Sequence, residues 1–378
     1  MKIGILESIF MPAGHEVEFD RLLVDELVAQ GHEPVMLVPQ KFPFKVKYNA
    51  DVDYLDGGEV VTYAGAGRLQ RLFLSIKREY RRKRWFNSAF KKINENNYDA
   101  LIIPTGTYRY LRTLLNSDLK KSPVPIFIVF HGINSHEKAN FVKYARYCEP
   151  YKQIHLKVIT LRNDFIEENL ANLDLIVPPV FKPIDVAVSG DNLFSHEPLV
   201  FGFFGQYRRE KGLRPFLNAF TEAIFALPVK LIVQGATATK EDSEDFNRII
   251  TEYADCQNIE FLHKPLIGRE WQDALLASDV IVAPYANERY LYHWSAMLFT
   301  AIGFYKPILQ SCEINPEVIA KYRIGEVIDG GNVEKLRKQL ESFVGLLSKN
   351  PHLYVEGLAM ANREFSQSNF VKALLNQQ

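Results

Sequence analysis

The stretch LVFGFFGQYRREKGLRPFLNAF, Leu199 to Phe220, decides the reading of the chain. A short apolar run ends at a glycine, the cations Arg208, Arg209 and Lys211 follow, and apolar residues then recur at Leu213, Phe216, Leu217 and Phe220 with helical spacing. Strand, loop and helix in that order make the unit of a parallel α/β sheet, and open sheets of this kind bind ligands beyond the carboxyl ends of their strands. Gly205 lets the backbone come close to an anion, and Gly212 and Pro215 suit the opening turn of a helix. The unpaired N–H groups of such a turn favour negative charge, so phosphate is the expected guest. Neither GxxxxGK[ST] nor a GxGxxG after the first strand occurs, which argues against a P-loop or a dinucleotide site.

The same unit repeats on both sides of this stretch. KIGIL, PVMLV, ALII, PIFIVF, LKVIT and DLIV precede it, and VKLIV, IEFL, VIVAP and PILQ follow, with helical spacing between most of them. The fold class expected is α/β, with two doubly wound domains of parallel sheet. A chain of 378 residues also suits two cores better than one. Between the halves, Pro178 to Pro198 is rich in proline and polar residues and lacks either period. The expected domains are therefore 1–190 and 191–361, with 362–378 as a closing helix capped by Ser366 or Ser368.

With zero formal net charge and 47% hydrophobic residues, the chain has no global attraction for polyanions, and no nucleic-acid module accompanies its basic residues. Cys148, Cys256 and Cys312 stand far apart, so neither a disulfide framework nor a zinc cluster is expected. No apolar run is long enough to span a bilayer, and a soluble, cytoplasmic protein is expected. The DVD at Asp51 to Asp53 is expected in a polar loop and is not taken as a metal site. The segment from residue 68 to 92 is different. Arg68, Arg71, Lys77, Arg78, Arg81, Arg82, Lys83 and Arg84 lie there among Leu72, Phe73, Ile76, Trp85 and Phe86, an arrangement expected to attract an anionic membrane surface.

The loop after the central strand also resembles the Gly-Arg-(x4)-Lys-Gly segment of glycosyltransferase family 4. PAGHEVEFDRLLVDELVAQGHEPVMLV is similar to the N-terminal signature of that family, NIEFLHKPLIGREWQDALLASDVIVAPY to its base-binding strand and loop, and SAMLFTAIGFYKPIL to the segment whose helix start faces the donor. The resemblance spans nearly the whole chain. It implies the GT-B fold of two facing Rossmann-like domains, and transfer of a sugar from a nucleoside-diphosphate sugar to a hydroxyl, with retention and without a metal or other cofactor.

Carried over by position, the resemblance puts Lys211 on the diphosphate and Gly205 at the opening of the loop. The family arginine falls on Gln206, so Arg208 or Arg209 is expected to supply its charge. His263, Lys264, Pro265 and Leu266 fall on the base-binding loop, and Ser295, Ala296, Met297 and Leu298 on the helix start. The paired family glutamates fall on Tyr292 and Thr300, so neither carboxylate is present, and Glu288 or hydroxyls are expected to compensate. His131, after a strand of the first domain, falls on a histidine facing the transferred sugar, and Gly14 and His15 on the acceptor or phosphate loop. Lys211, Arg208 and His131 are the expected catalytic residues. The expected activity is synthesis of a polysaccharide or glycolipid from a UDP-sugar, UDP-glucose first, onto a glycan or lipid-linked acceptor, at a peripheral position on the inner face of the plasma membrane. A non-catalytic scaffold subunit and a sugar-nucleotide epimerase of the same architecture are the alternatives.

Overall fold

In the computed structural model the described residues are 1–9, 16–62, 67–162, 164, 169–188, 196–287, 290 and 293–377. They form two compact units. The first comprises Met1–Met11, Phe19–Val177 and Phe370–Gln378, the second Pro12–Glu18 and Pro178–Asn369.

In chain order the first sheet and its helices are β1 (Lys2–Leu6), α1 (Glu16–Ala29), β2 (Glu33–Pro39), β3 (Asp51–Leu55), α2 (Arg68–Glu95), β4 (Ala100–Ile103), α3 (Tyr108–Leu115), β5 (Ile126–Phe130), α4 (Lys138–Cys148), β6 (Ile154–Ile159) and β7 (Leu173–Ile176). The strands are parallel and lie in the order β3, β2, β1, β4, β5, β6, β7. β4 and β5 are buried along their whole length, as strands covered on both faces must be, and this is why they read as unbroken apolar runs.

The second sheet is built from β8 (Leu199–Phe203), α5 (Leu213–Glu222), β9 (Val229–Gln234), α6 (Lys240–Glu252), β10 (Ile259–Leu262), α7 (Arg269–Leu276), β11 (Val280–Ala283), α8 (Ala296–Gly303), β12 (Ile308–Ser311), α9 (Pro316–Tyr322) and β13 (Gly325–Ile328). Helices α10 (Val333–Lys349), α11 (Val355–Glu364) and α12 (Gln367–Leu374) follow. The strands, again parallel, run β10, β9, β8, β11, β12, β13. Each sheet thus reverses its order once, between β1 and β4 in the first and between β8 and β11 in the second. Such a switch point leaves a crevice at the carboxyl ends of the two strands.

The structure departs from the sequence reading at three places. Asp51 to Asp53 lie in β3 and not in a loop, and Asp53 is bound to Lys92 of α2 at 2.6 Å. The units divide between Val177 and Pro178, before the expected break at 190/191, because Val180 and Phe181 pack into the second unit. There the Val180 N–H bonds the Phe365 carbonyl, and the Phe181 ring stacks on Trp294 at 5.9 Å. The closing helix is as expected at its start, since α12 begins at Gln367 with Ser366 Oγ accepting the Asn369 N–H, and the chain end from Phe370 belongs to the first unit. There the buried Lys157 ammonium of β6 donates to the Ala373 carbonyl, to Asn376 and to Asp174. Finally, Trp85 and Phe86 of α2 are core residues, and Arg82 is buried with them. Its guanidinium is held by Glu79 at 2.6 Å over the Tyr110 ring.

Candidate functional site

The loop after β8 lies at the switch point of the second sheet, and local chemistry fixes its path. Gly205 has φ +107°, a conformation that a residue with a Cβ rarely adopts. Its N–H donates to Gln234 Oε1 at 2.8 Å, and its carbonyl accepts the Ala236 N–H. Gln206 then pairs with Ala236 in a single parallel bridge, which extends the β8–β9 ladder past the strand ends. A short 3-10 turn, Arg209–Lys211, leads to Gly212, whose φ is +66°. A Cβ at Gly212 would come 2.3 Å from the Pro284 carbonyl oxygen, so only glycine lets this loop lie against the one after β11.

These constraints put Lys211 between the two central strands. Its ammonium lies 4.8 Å from the centre of the Tyr285 ring, just past β11, and 3.4 Å from where a side chain on residue 205 would begin. Tyr285 is buried, and desolvation raises its phenol above the ordinary range, so it stays neutral beneath the cation. Arg208 bends back to Gln206 Oε1 at 3.2 Å and lies 3.7 Å from Glu210. Arg209 is paired with Asp245 at 3.2 Å, and the same carboxylate accepts the Tyr207 hydroxyl at 2.6 Å. The three cations therefore differ: Arg209 is held by α6, Arg208 folds back on its own loop, and Lys211 reaches Tyr285 past β11.

The residues expected in the base loop follow β10. Gln234 Nε2 donates to the Lys264 carbonyl at 2.5 Å while its oxygen holds Gly205, so one buried amide ties the loops after β8 and β10 together. His263 is engaged at both ring nitrogens, Nδ1 with Asn247 Oδ1 at 2.8 Å and Nε2 with the Thr237 hydroxyl at 3.2 Å. The Lys264 ammonium meets Glu270 at 3.1 Å, Pro265 follows it, and Leu266 is buried.

Ser295 caps α8, its Oγ accepting the Leu298 N–H at 3.4 Å. The first N–H groups of Ala296 and Met297 belong to a turn that has no intrahelical acceptor for them. The side chains of Met297, Leu298 and Thr300 are buried, and the Thr300 hydroxyl donates to the Ala296 carbonyl at 2.7 Å. That hydroxyl is thus committed within its own helix.

In the first unit, His131 follows β5 and Pro104 follows β4. His131 Nε2 lies 2.9 Å from the Pro104 carbonyl, which can only accept, so Nε2 carries the proton. Phe19 packs edge-on against the imidazole at 4.5 Å. Gly14, His15, Glu288 and Tyr292 lie outside the described residues. Gln234, Tyr285 and Asp245 were not singled out from sequence. The one trace they leave is position: Gln234 is the polar end of an apolar strand, and Tyr285 follows VIVAP.

No family model and no curated protein matches the chain. Among solved structures, HepE of Anabaena in complex with UDP-glucose superposes with a TM-score of 0.67 at 13% identity, covering 100% of this chain and 98% of that one. A glycosyltransferase of Rickettsia africae gives 0.67 at 11% identity, with coverage of 99% and 97%. The chain has the GT-B fold. A UDP-forming α,α-trehalose-phosphate synthase of Burkholderia xenovorans, bound to glucose-6-phosphate, gives 0.64 at 10% identity and covers 99% of each chain. Within the GT-B fold the two sheets described above are its two Rossmann-like halves, and the loop carrying Lys211 opens from the central strand of the second.

Proposed function

We propose that the chain is a glycosyltransferase that moves a sugar from a nucleoside-diphosphate sugar, UDP-glucose first among them, to a hydroxyl of a glycan or lipid-linked acceptor in polysaccharide biosynthesis, with retention. The observation that carries this reading is the Lys211 ammonium, held at the switch point of the second sheet beside the positive-φ Gly205. One protein of the same fold, HepE of Anabaena, is bound to UDP and to UDP-glucose in solved structures, which supports the choice of donor.

As the glycosidic bond breaks, negative charge builds on the departing diphosphate. Lys211, Arg208 and the first N–H groups of α8 are preorganised to stabilise it, and such groups act through differential stabilisation of the transition state. No metal or other cofactor belongs to this reading. The loop after β10, tied by Gln234 to the loop after β8, is assigned to the base and ribose. The acceptor side is assigned to the first unit, where the Nε2–H tautomer of His131 fixes the ring. The enzyme is placed in the cytoplasm, at the inner face of the plasma membrane where lipid-linked acceptors lie.

One observation favours a second reading, a non-catalytic nucleotide-sugar-binding subunit: Thr300, standing where the resemblance calls for a carboxylate, has its hydroxyl turned into its own helix. The test is a matrix of UDP- and GDP-sugars against glycan and lipid-linked acceptors, with release of the nucleoside diphosphate and glycosylated product both measured. Acceptor-dependent UDP release supports transfer. Nucleotide binding without release for any acceptor overturns it in favour of the second reading.

A further inference from the structure

Helix α2 has two dissimilar ends. Its C-terminal half is core: Arg82, Trp85, Phe86, Ala89 and Ile93 are buried. Its N-terminal half turns large apolar side chains outward, with Leu72 at 64%, Phe73 at 74%, Ile76 at 69% and Tyr80 at 62% exposure. These residues recur at intervals that place them on one side of the helix, well away from the buried face. Exposed apolar residues scattered singly need no explanation, but a row of four on one helix does.

The charges along this row are of one sign. Lys77 and Arg84 continue the line of Phe73 and Tyr80, Lys83 continues that of Leu72 and Ile76, and all three are exposed. The nearest acid on the helix, Glu79, is occupied by Arg82 at 2.6 Å and Arg112 at 3.0 Å, and accepts the Thr113 hydroxyl. A second copy of the chain docking on this face by two-fold symmetry would bring cations against cations. An anionic lipid surface has the complementary charge and an apolar layer beneath it, and long basic side chains can reach the headgroups while their stems lie on that layer.

We infer that the exposed N-terminal half of α2 is a membrane-docking face, which inserts Leu72, Phe73, Ile76 and Tyr80 at the interface of an anionic bilayer while Lys77, Lys83 and Arg84 bind its headgroups. This shares the membrane setting of the proposed function but is carried by α2 alone. Trp85, Phe86 and Arg82 take no part, because they hold the helix to the sheet.

The test is co-sedimentation of the full chain with vesicles of phosphatidylcholine alone and of an equal mixture with phosphatidylglycerol, without any nucleotide sugar, so that its outcome is independent of catalysis. Binding is expected to the mixed vesicles only. Lys77→Gln, Lys83→Gln and Arg84→Gln together should weaken it about 100-fold, at about fivefold per basic residue. Leu72→Ser, Phe73→Ser and Ile76→Ser together should weaken it by a similar factor, while the melting temperature of each variant stays near that of the parent. Failure of the parent to bind mixed vesicles, or equal binding by the Ser variant, overturns the inference. So does a self-associated parent that becomes monomeric in the Ser variant, since the face would then be an interface between copies.

Discussion

The two sheets reverse strand order at the same topological point, yet they end in opposite chemistry there. Past β1 stand Glu7 and Ser8, both buried, with Ser8 bonded to the Tyr110 hydroxyl at 2.9 Å. Past β8 stand Gly205, Gln206, Arg208 and Lys211, with the Lys211 ammonium over Tyr285. The fold makes a crevice in each unit, and the side chains decide what enters it. An ammonium attracts a diphosphate, so it is charge and not topology that supports the donor site proposed in the second unit.

This comparison can be broken at several points. The largest expected effect is that of Lys211→Ala, which should lower turnover with UDP-glucose roughly 100-fold or more, the scale for loss of a preorganised charge at a developing oxyanion. Steady-state kinetics close to those of the parent would remove Lys211 from the chemistry. Next comes Gln234→Leu, which leaves the Gly205 N–H and the Lys264 carbonyl without their shared partner. A buried group left unsatisfied costs about 1–3 kcal/mol, so chemical denaturation should show a loss of that size together with weaker nucleotide binding. An unchanged midpoint would show that the loops hold their shape without the amide.

Arg209→Gln should do less. Its partner Asp245 also holds Tyr207, the pair is exposed on the arginine side, and such pairs contribute about 0–1 kcal/mol. Turnover should stay close to the parent value, and a loss as deep as that of Lys211→Ala would make Arg209 a donor ligand. The smallest effect belongs to the first unit: Glu7→Gln should leave the affinity for UDP unchanged in a calorimetric titration. A marked loss would mean that the opposite charges do not sort the ligand as argued.

Much of this was legible in the sequence, for reasons that particular residues make plain. Interior strands such as IFIVF are buried on both faces and read as unbroken apolar runs. The edge strand DVDYL is mostly open to solvent, so hydrophobicity did not mark it, and the edge strand GEVI, only half-buried at its centre and carrying Glu326, offers no apolar run. Gly205, Gly212 and Lys211 were found because a backbone requirement and a charge stood together after a strand. Gln234 was missed because an amide shows its value only when its two partners, distant in sequence, are known. In α2 the periodicity ran through the whole helix, but which end would pack was set by tertiary contacts, and Trp85 and Leu72 went opposite ways.

The most direct test of the central claim is a thermal-unfolding titration with UDP on the parent and on Lys211→Ala. The parent should gain about 2.7 kcal/mol of stability at a hundred times its dissociation constant, and the variant should gain far less at the same concentration. Equal stabilisation of both proteins, or of neither, would contradict the assignment of the diphosphate to the loop after β8.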